Sequence, residues 1–343
     1  MKRLAAALLL LACLAAAPAS AQASAPTVRV AGNRLVNGQG HTLRLLGVNR
    51  SGSEYACIQG WGIFEGPVGA RAIAAIRRWK ANAVRVPLNE DCWLGINGVD
   101  SRYGGWRYRR AIKRFVSRLH EAGLVAVLEL HWSAPGRIPA TGQWLMANRS
   151  HTPAFWSSVA RAFRRDRSVV FDLVNEPHDI SWRCWRDGCT VDGWRLAGMQ
   201  RLVNAVRATG ARQPIMVAGL AWANDLSRWL AWRPYDPLKQ IVASFHVYNF
   251  NSCRTPTCWS ATVGRVAGSV PVVTGEIGED DCAHGFIDRY MRWADARRPR
   301  MSYLGWTWNV WGCGEGPALI SAYDGTPTPY GIGFRRHLAE LAR

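Results

Sequence analysis

Lysine is nearly missing from this chain: four of its 43 basic residues are lysine and the rest are arginine. Acidic residues are also few, 24 in all, so the formal net charge is +19. A charge of that size can serve nucleic acid or acidic polymers. The arginines, however, are scattered, with no long basic run and no nucleic-acid motif. The expectation is a basic surface without nucleic-acid function, with at most a weak attraction to anionic cell-wall polymers. Other absences remove whole mechanisms. There is no G-x-S-x-G elbow, no P-loop and no H-E-x-x-H pair. No paired C-x-x-C or H-x-x-x-H spacing marks structural zinc. Gly312-Cys313-Gly314-Glu315-Gly316 runs into Pro317 rather than a helix, so it is a loop and not a dinucleotide site. No linker, low-complexity segment or sequence repeat interrupts the chain, and past its first residues no apolar run is long enough to cross a bilayer.

What is present begins with a leader. Lys2 and Arg3 precede an apolar stretch, Leu4 to Ala17, and Ala19-Ser20-Ala21 is a small-residue cleavage signal. Residues 1–21 therefore read as a secretory signal peptide. A lipoprotein signal retaining Cys13 ranks behind simple cleavage. Residues 22–343 are expected to form one domain. Of nine cysteines, eight follow Cys13, an even number in an exported chain, which favours disulfides. Cys184 and Cys189, and Cys253 and Cys258, are close enough to staple local loops. Connectivity is not fixed by sequence, but Cys57–Cys92 and Cys282–Cys313 would join loops that follow neighbouring strands.

Val28 to Val36, with the turn Asn37-Gly38-Gln39-Gly40, predicts an N-terminal β-hairpin. Apolar runs then recur at 43–48, 83–88, 124–130, 169–174, 214–219, 241–245, 270–274 and 301–305. Helical patterns separate most of them. Examples are 71–80, with Ile73, Ile76 and Trp79 on one face, and 108–122, with Ile112, Phe115 and Leu119. Others are 153–163, opened by Pro153 with Thr152 as cap, then 192–208, 285–296 and 333–341. The segments 222–230 and 260–267 are shorter. Strand alternating with helix eight times predicts an α/β fold, a (β/α)8 TIM barrel with a short N-terminal β-hairpin.

Each predicted strand ends in polar residues: Arg85 in the second, His131 after the third, Asn175-Glu176 after the fourth, His246 and Tyr248 after the sixth, Glu276 after the seventh. Trp306 and Trp308 follow the eighth. In such a barrel these tips share one mouth. Two carboxylates flanking a glycosidic bond can hydrolyse it. The acid must stay protonated, through burial or a negative neighbour, and the nucleophile ionised, for which Arg85 offers a cation and Tyr248 a hydrogen bond. Eighteen tryptophans suit the apolar faces of sugar rings, although many, Trp79 and Trp293 among them, are packing residues.

Arg85 in V-R-V-P, His131 in L-E-L-H-W, Asn175-Glu176-Pro177, His246-x-Tyr248, Gly275-Glu276 and the tryptophan-rich eighth strand together resemble glycoside hydrolase family 5, the cellulase-like family. The resemblance spans about 43 to 333. It implies Glu176 as acid/base and Glu276 as nucleophile, with Asn175 on the sugar 2-hydroxyl. Arg85 and Tyr248 would support the nucleophile, His131 and His246 would line the same subsite, and Trp308 would be the sugar platform ahead of Trp306 and Trp311. The implied protein is a secreted, monomeric, retaining endo-type β-glucanase that acts on a polysaccharide or oligosaccharide and needs no metal or organic cofactor. Mannan, 1,3-glucan, xylan or a glycolipid are alternative substrates, and a carbohydrate-binding barrel without catalysis is the alternative class. Glu129 is read as an interior carboxylate paired with an arginine, and Asp172 as lying deeper. Glu279, Asp280 and Asp281 read as a solvated loop. Trp93 and Trp61 are each either a sugar platform or a packing residue.

Overall fold

The computed structural model describes residues 24–343 apart from Glu315; the expected leader, Cys13 included, lies outside the described residues. Eight strands form a closed barrel: β1 Leu46–Asn49, β2 Ala83–Asn89, β3 Val125–Trp132, β4 Val169–Asp172, β5 Ile215–Ala218, β6 Ile241–Tyr248, β7 Val272–Gly278 and β8 Ser302–Gly305. Every neighbouring pair is parallel, in sequence order, and β8 closes on β1. The (β/α)8 expectation therefore holds. Both faces of each strand are covered, which is why the runs are nearly continuous apolar sequence.

Alternation sorts these runs into two cores. Val84, Val86, Ala126, Leu128, Phe171 and Phe245 belong to the layer between the barrel and its helices. The intervening Ala83, Val125, Val127, Val170, Val242 and Leu304 form a separate inner layer, completed by Val28 and Leu35. Two residues on from this inner layer, on the same side of an extended chain, come Arg85, Glu129 and Asp172. The barrel is thus apolar at its base and charged above it.

Val28 and Leu35 come from the N-terminal hairpin, Arg29–Ala31 paired with Arg34–Val36. The hairpin turns at Gly32-Asn33, not at 37–40 as expected. The 37–40 turn is a second one, closed by Gly40 N–H to Asn37 O and leading to a bridge between Val36 and Thr42.

The main helices are α1 Ala70–Arg78, α2 Trp106–Glu121, α3 Thr152–Phe163, α4 Met199–Arg207, α5 Gly285–Asp295 and α6 Pro329–Leu341. Each buries an apolar stripe, such as Tyr108, Ile112, Phe115 and Leu119 on α2. α4 starts seven residues later than expected, because Thr190–Val191 and Trp194–Arg195 pair as a small hairpin, a local contact that helical periodicity conceals. At 222–230 no helix forms until Trp229–Trp232. Four disulfides close the pairs Cys57–Cys92, Cys184–Cys189, Cys253–Cys258 and Cys282–Cys313. Among the described residues no helix is long and apolar enough to span a membrane.

Candidate active site

Arg85 is the centre of the charged layer and is fully buried. Its Nε donates to Asp172 Oδ2 at 2.9 Å and its Nη2 to Asn175 Oδ1 at 2.8 Å. Its Nη1 donates to Glu276 Oε1 at 2.8 Å and to Asn49 Oδ1 at 3.0 Å, with Glu129 Oε2 at 3.6 Å. Burial works against the cation, but Glu129, Asp172 and Glu276 outweigh it and hold the guanidinium charged. Tyr248 Oη donates to the other oxygen of Glu276 at 2.5 Å. Both Glu276 oxygens are therefore engaged by donors, one of them cationic, as an ionised carboxylate requires.

Glu276 reaches this position through a fault in β7. Phe245 pairs with Thr274 and His246 with Glu276, so Gly275 is left over as a bulge. Strict alternation from the inner Val273 would place Gly275 inward; the bulge places Glu276 there instead. The residue passed over has no room for a side chain. A Cβ on Gly275 would lie 2.8 Å from His246 Nε2 and 3.1 Å from Ser244 Oγ.

Glu176 sits in a different setting. Its Oε1 meets His246 Nδ1 at 2.9 Å and its Oε2 accepts from Gln143 Nε2 at 3.0 Å. Burial pushes its pKa up, opposed by the Gln143 hydrogen bond. His246 Nδ1 also lies 3.7 Å from Glu276 Oε2. Burial lowers the His246 pKa to about 4, so the neutral ring stands between the two carboxylates, hydrogen-bonded to Glu176. His131 behaves oppositely. Burial again disfavours the charge, but Glu129, bonded to its Nδ1 at 2.9 Å, raises its pKa to about 9. Asp172 is pushed by burial to about 7, against the pull of Arg85. The cations Arg85 and His131 thus face Glu129 and Glu276, beside two acids, Glu176 and Asp172, whose pKa values burial raises.

Glu176, His246 and Glu276 each present an atom within 4.8 Å of the others. As a metal-ligand set it is poor, because Arg85 and Tyr248 already hold both Glu276 oxygens. The same cluster leaves an oxygen of Glu176 within 4.8 Å of an oxygen of Glu276. Carboxyl groups about 5–5.5 Å apart suit attack by one on the anomeric carbon, whereas about 6.5–9.5 Å would leave room for a water.

Trp308 does not occupy this mouth. It is 1% exposed, with its ring packed edge-on at 4.8 Å against Trp79 below the site. Its backbone N–H bonds Asn49 O as the chain leaves β8. Trp306 is the partly exposed indole. It stacks on His131, ring centroids 5.4 Å apart and planes 11° apart, with Trp311 at 6.5 Å. Trp93 is fully buried, its Nε1 on Ser158, and is a packing residue. Trp61 is 49% exposed beside Tyr55, and Glu65 binds the indole N–H of Trp311. Glu279 is not solvated as expected. It is buried and accepts the backbone N–H groups of Phe286 and Ile287, the first turn of α5, while Asp280 and Asp281 are exposed.

Three participants escaped the sequence reading. Asn49, which bonds Arg85 and Gly275 O, ends β1, and the strand-tip rule would have found it. Gln143 carries no motif. Its loop, 133–151, is tied down by buried Asn89, Glu90 and Asp91, which bond Ala140, Asn148 and Thr152. This brings Gln143 onto both Glu176 and Asn175. Trp222 is 44% exposed and lies flat on His178 at 3.7 Å, with its N–H on Pro177 O beside Glu176.

A parallel eight-stranded barrel whose fourth and seventh strands each bring a carboxylate to one mouth is an arrangement that glycoside hydrolases use. The sequence model of cellulases, glycosyl hydrolase family 5, matches residues 36–312, and the chain belongs to that family. It is 28% identical over 251 residues to a probable endo-β-1,4-glucanase B of Aspergillus niger, covering 67% of this chain and 68% of that one. It is 21% identical over 288 residues to a mannan endo-1,4-β-mannosidase of Salipaludibacillus agaradhaerens, covering 81% and 80%. Matches to two other endoglucanases, from Robillarda sp. and Neosartorya fischeri, cover 35% and 46% of their lengths. In fold it is similar to a β-glucanase of Saccharophagus degradans in complex with cellotetraose, with TM-score 0.70, 20% identity and coverage of 93% and 95%.

Proposed function

We propose that this chain is an exported, retaining endo-β-1,4-glucanase. The observation that carries the reading is the pair of opposed settings around His246: Glu276 held between Arg85 and Tyr248, Glu176 buried with a raised pKa. In the first step Glu276 attacks the anomeric carbon and Glu176 gives its proton to the leaving oxygen. In the second, Glu176 takes a proton from water, which displaces Glu276. Asn175 Nδ2 binds the 2-hydroxyl once Gln143 withdraws. Trp306 carries the sugar on one side of the cleaved bond and Trp222 on the other. The names of the glucanase relatives support the β-1,4-glucan assignment, and four disulfides together with the 1–21 leader support export. The long match to a mannanase makes mannan the second reading.

The test is turnover on glucan, mannan, xylan and 1,3-glucan, with the anomer released first followed by NMR. Retained configuration on a β-1,4-glucan is expected. Glu276→Gln should abolish turnover while leaving oligosaccharide binding. First release of the inverted anomer, or full activity in that variant, would refute the mechanism; preference for mannan would move the substrate.

A further inference from the structure

The outer wall formed by α1, α2 and α3 has a charge pattern that the cleavage reaction does not use. Between α2 and α3 runs a groove of about 450 Å³ lined by Arg109, Arg110, Lys113 and Arg161. Trp106 stands at its end, 54% exposed. A second groove of about 560 Å³ continues from it, sharing Lys113 and Ala162 and adding Arg165. A third, about 580 Å³, lies between α1 and α2 and adds Arg77, Arg78, Lys80 and Arg118. Among the described residues two carboxylates line the three grooves. Glu121 is bonded to Ser117 and Asp166 is held by His120. Among the described residues none of these arginines or lysines has a carboxylate partner within 4.0 Å. Arginines without a carboxylate partner also occur elsewhere on the described surface, Arg149 beside Arg195 for example, so what marks this wall is that its cations line connected grooves.

Like charges gathered without counter-charges repel one another, and this favours occupation by a polyanion. The chemistry narrows the choice. Seven of the nine cations are guanidinium groups, whose planar fork matches a carboxylate in two parallel hydrogen bonds; Arg77, Arg78, Arg109 and Arg118 each spend one N–H on a backbone carbonyl. They line a continuous track rather than one pocket, which suits a chain with regularly repeated charge. The Trp106 indole at the α2 end, 54% exposed with the Arg107 guanidinium over its ring at 4.6 Å, offers apolar surface of the kind that covers a pyranose ring. We propose that the α1–α3 wall is a second saccharide-binding surface, separate from the catalytic mouth, which takes an acidic polysaccharide bearing uronate carboxylates. It would hold the enzyme on a carboxylate-rich matrix while the barrel mouth stays free. This assignment does not depend on which neutral glycan is cleaved.

The experiment is affinity electrophoresis of the full chain through gels containing polygalacturonate or neutral dextran, over a range of salt. Two triple variants are compared with the parent. One is Arg110→Glu, Lys113→Glu and Arg161→Glu in the grooves. The other is Arg292→Glu, Arg298→Glu and Arg300→Glu at and after α5, on the far side of the barrel. None of the six touches the catalytic groups, so hydrolysis of a soluble oligosaccharide should be unchanged in both. The parent should be retarded by polygalacturonate and not by dextran, and salt should abolish the effect. The groove variant should lose roughly tenfold or more in affinity, and the α5 variant about twofold or less, since contact rather than net charge decides. Equal losses in the two variants would overturn the proposal, leaving net charge alone. Tighter retardation by a single-stranded homopolynucleotide than by polygalacturonate would also overturn it, in favour of nucleic acid.

Discussion

Replacing Arg85 by methionine should uncover how much of this site is held by one cation. The methionine keeps most of the stem and removes the guanidinium. It leaves Glu129, Asp172 and Glu276, all buried, without the charge that faces them at 3.6, 2.9 and 2.8 Å. Breaking a buried ion pair from one side costs about 3–5 kcal/mol, because the remaining charge stays desolvated. For a domain of this size that is a melting-temperature drop on the order of 10 °C. The penalty should depend on pH, and its sign follows from linkage. Without Arg85 the pull that opposes burial at Asp172 is gone, so its folded-state pKa, already raised to about 7, rises further above the unfolded value. The folded variant then holds an extra proton, so its stability is greatest below the unfolded carboxylate range and falls as pH rises through the raised value. The melting deficit against the parent should therefore be larger at pH 8 than at pH 5. Arg85→Lys keeps a charge but not the four-way fork. It should recover much of the stability and still lose about a hundredfold in kcat, since Glu276 and Asn175 are no longer both placed. Thermal unfolding followed by circular dichroism at the two pH values, with kcat for the lysine variant, is the assay. A methionine variant whose deficit is under about 1 kcal/mol, or equal at both pH values, would refute the idea that Arg85 compensates these acids.

Gln143→Ala removes the donor that holds the Glu176 pKa down, so the alkaline limb of kcat/KM, which reports the free enzyme's acid, should move to higher pH. A profile unchanged on that side would remove Gln143 from proton control. Trp306→Ala should raise KM with little change in melting, whereas Trp308→Ala should cost about 3–5 kcal/mol of stability, since it empties a packed space against Trp79. The reverse pattern would restore Trp308 as the platform. Glu90 has its pKa raised by burial to about 8. Its contribution to stability is complete below its unfolded value near 4.3 and is lost as pH rises through about 8. Glu90→Gln should flatten the fall in melting temperature over that window, and an unaltered pH dependence would show that Glu90 does not drive it.

The barrel was legible because its cause is local. Eight apolar runs separated by amphipathic helices leave few ways to bury both faces of each strand, and short parallel connections order them. Residues in the upper part of the strands were legible for the same reason: His131, Glu176, His246, Tyr248 and Glu276 lie near the ends of β3, β4, β6 and β7, and Arg85 lies within β2. Strand ends shifted by a few residues, and the start of α4 moved, because a two-residue hairpin pairing is invisible in periodicity.

Three features were decided only when the elements met. The bulge at Gly275 turns Glu276 inward, and alternation along β7 alone gives the wrong parity. Trp306 and Trp308 are equivalent as letters, two apart beyond β8. Only the path of the chain toward Asn49 and Trp79 sends one into the core and leaves the other against His131. Gln143 and Trp222 come from loops, and their positions depend on buried Asn89, Glu90 and Asp91 and on the stack with His178. The chain by itself determined which residue types stand at the ends of which strands, because burial and alternation act over a few residues. The tertiary structure decided which of those groups come within hydrogen-bonding distance, because that depends on ångström distances across the barrel between segments far apart in sequence.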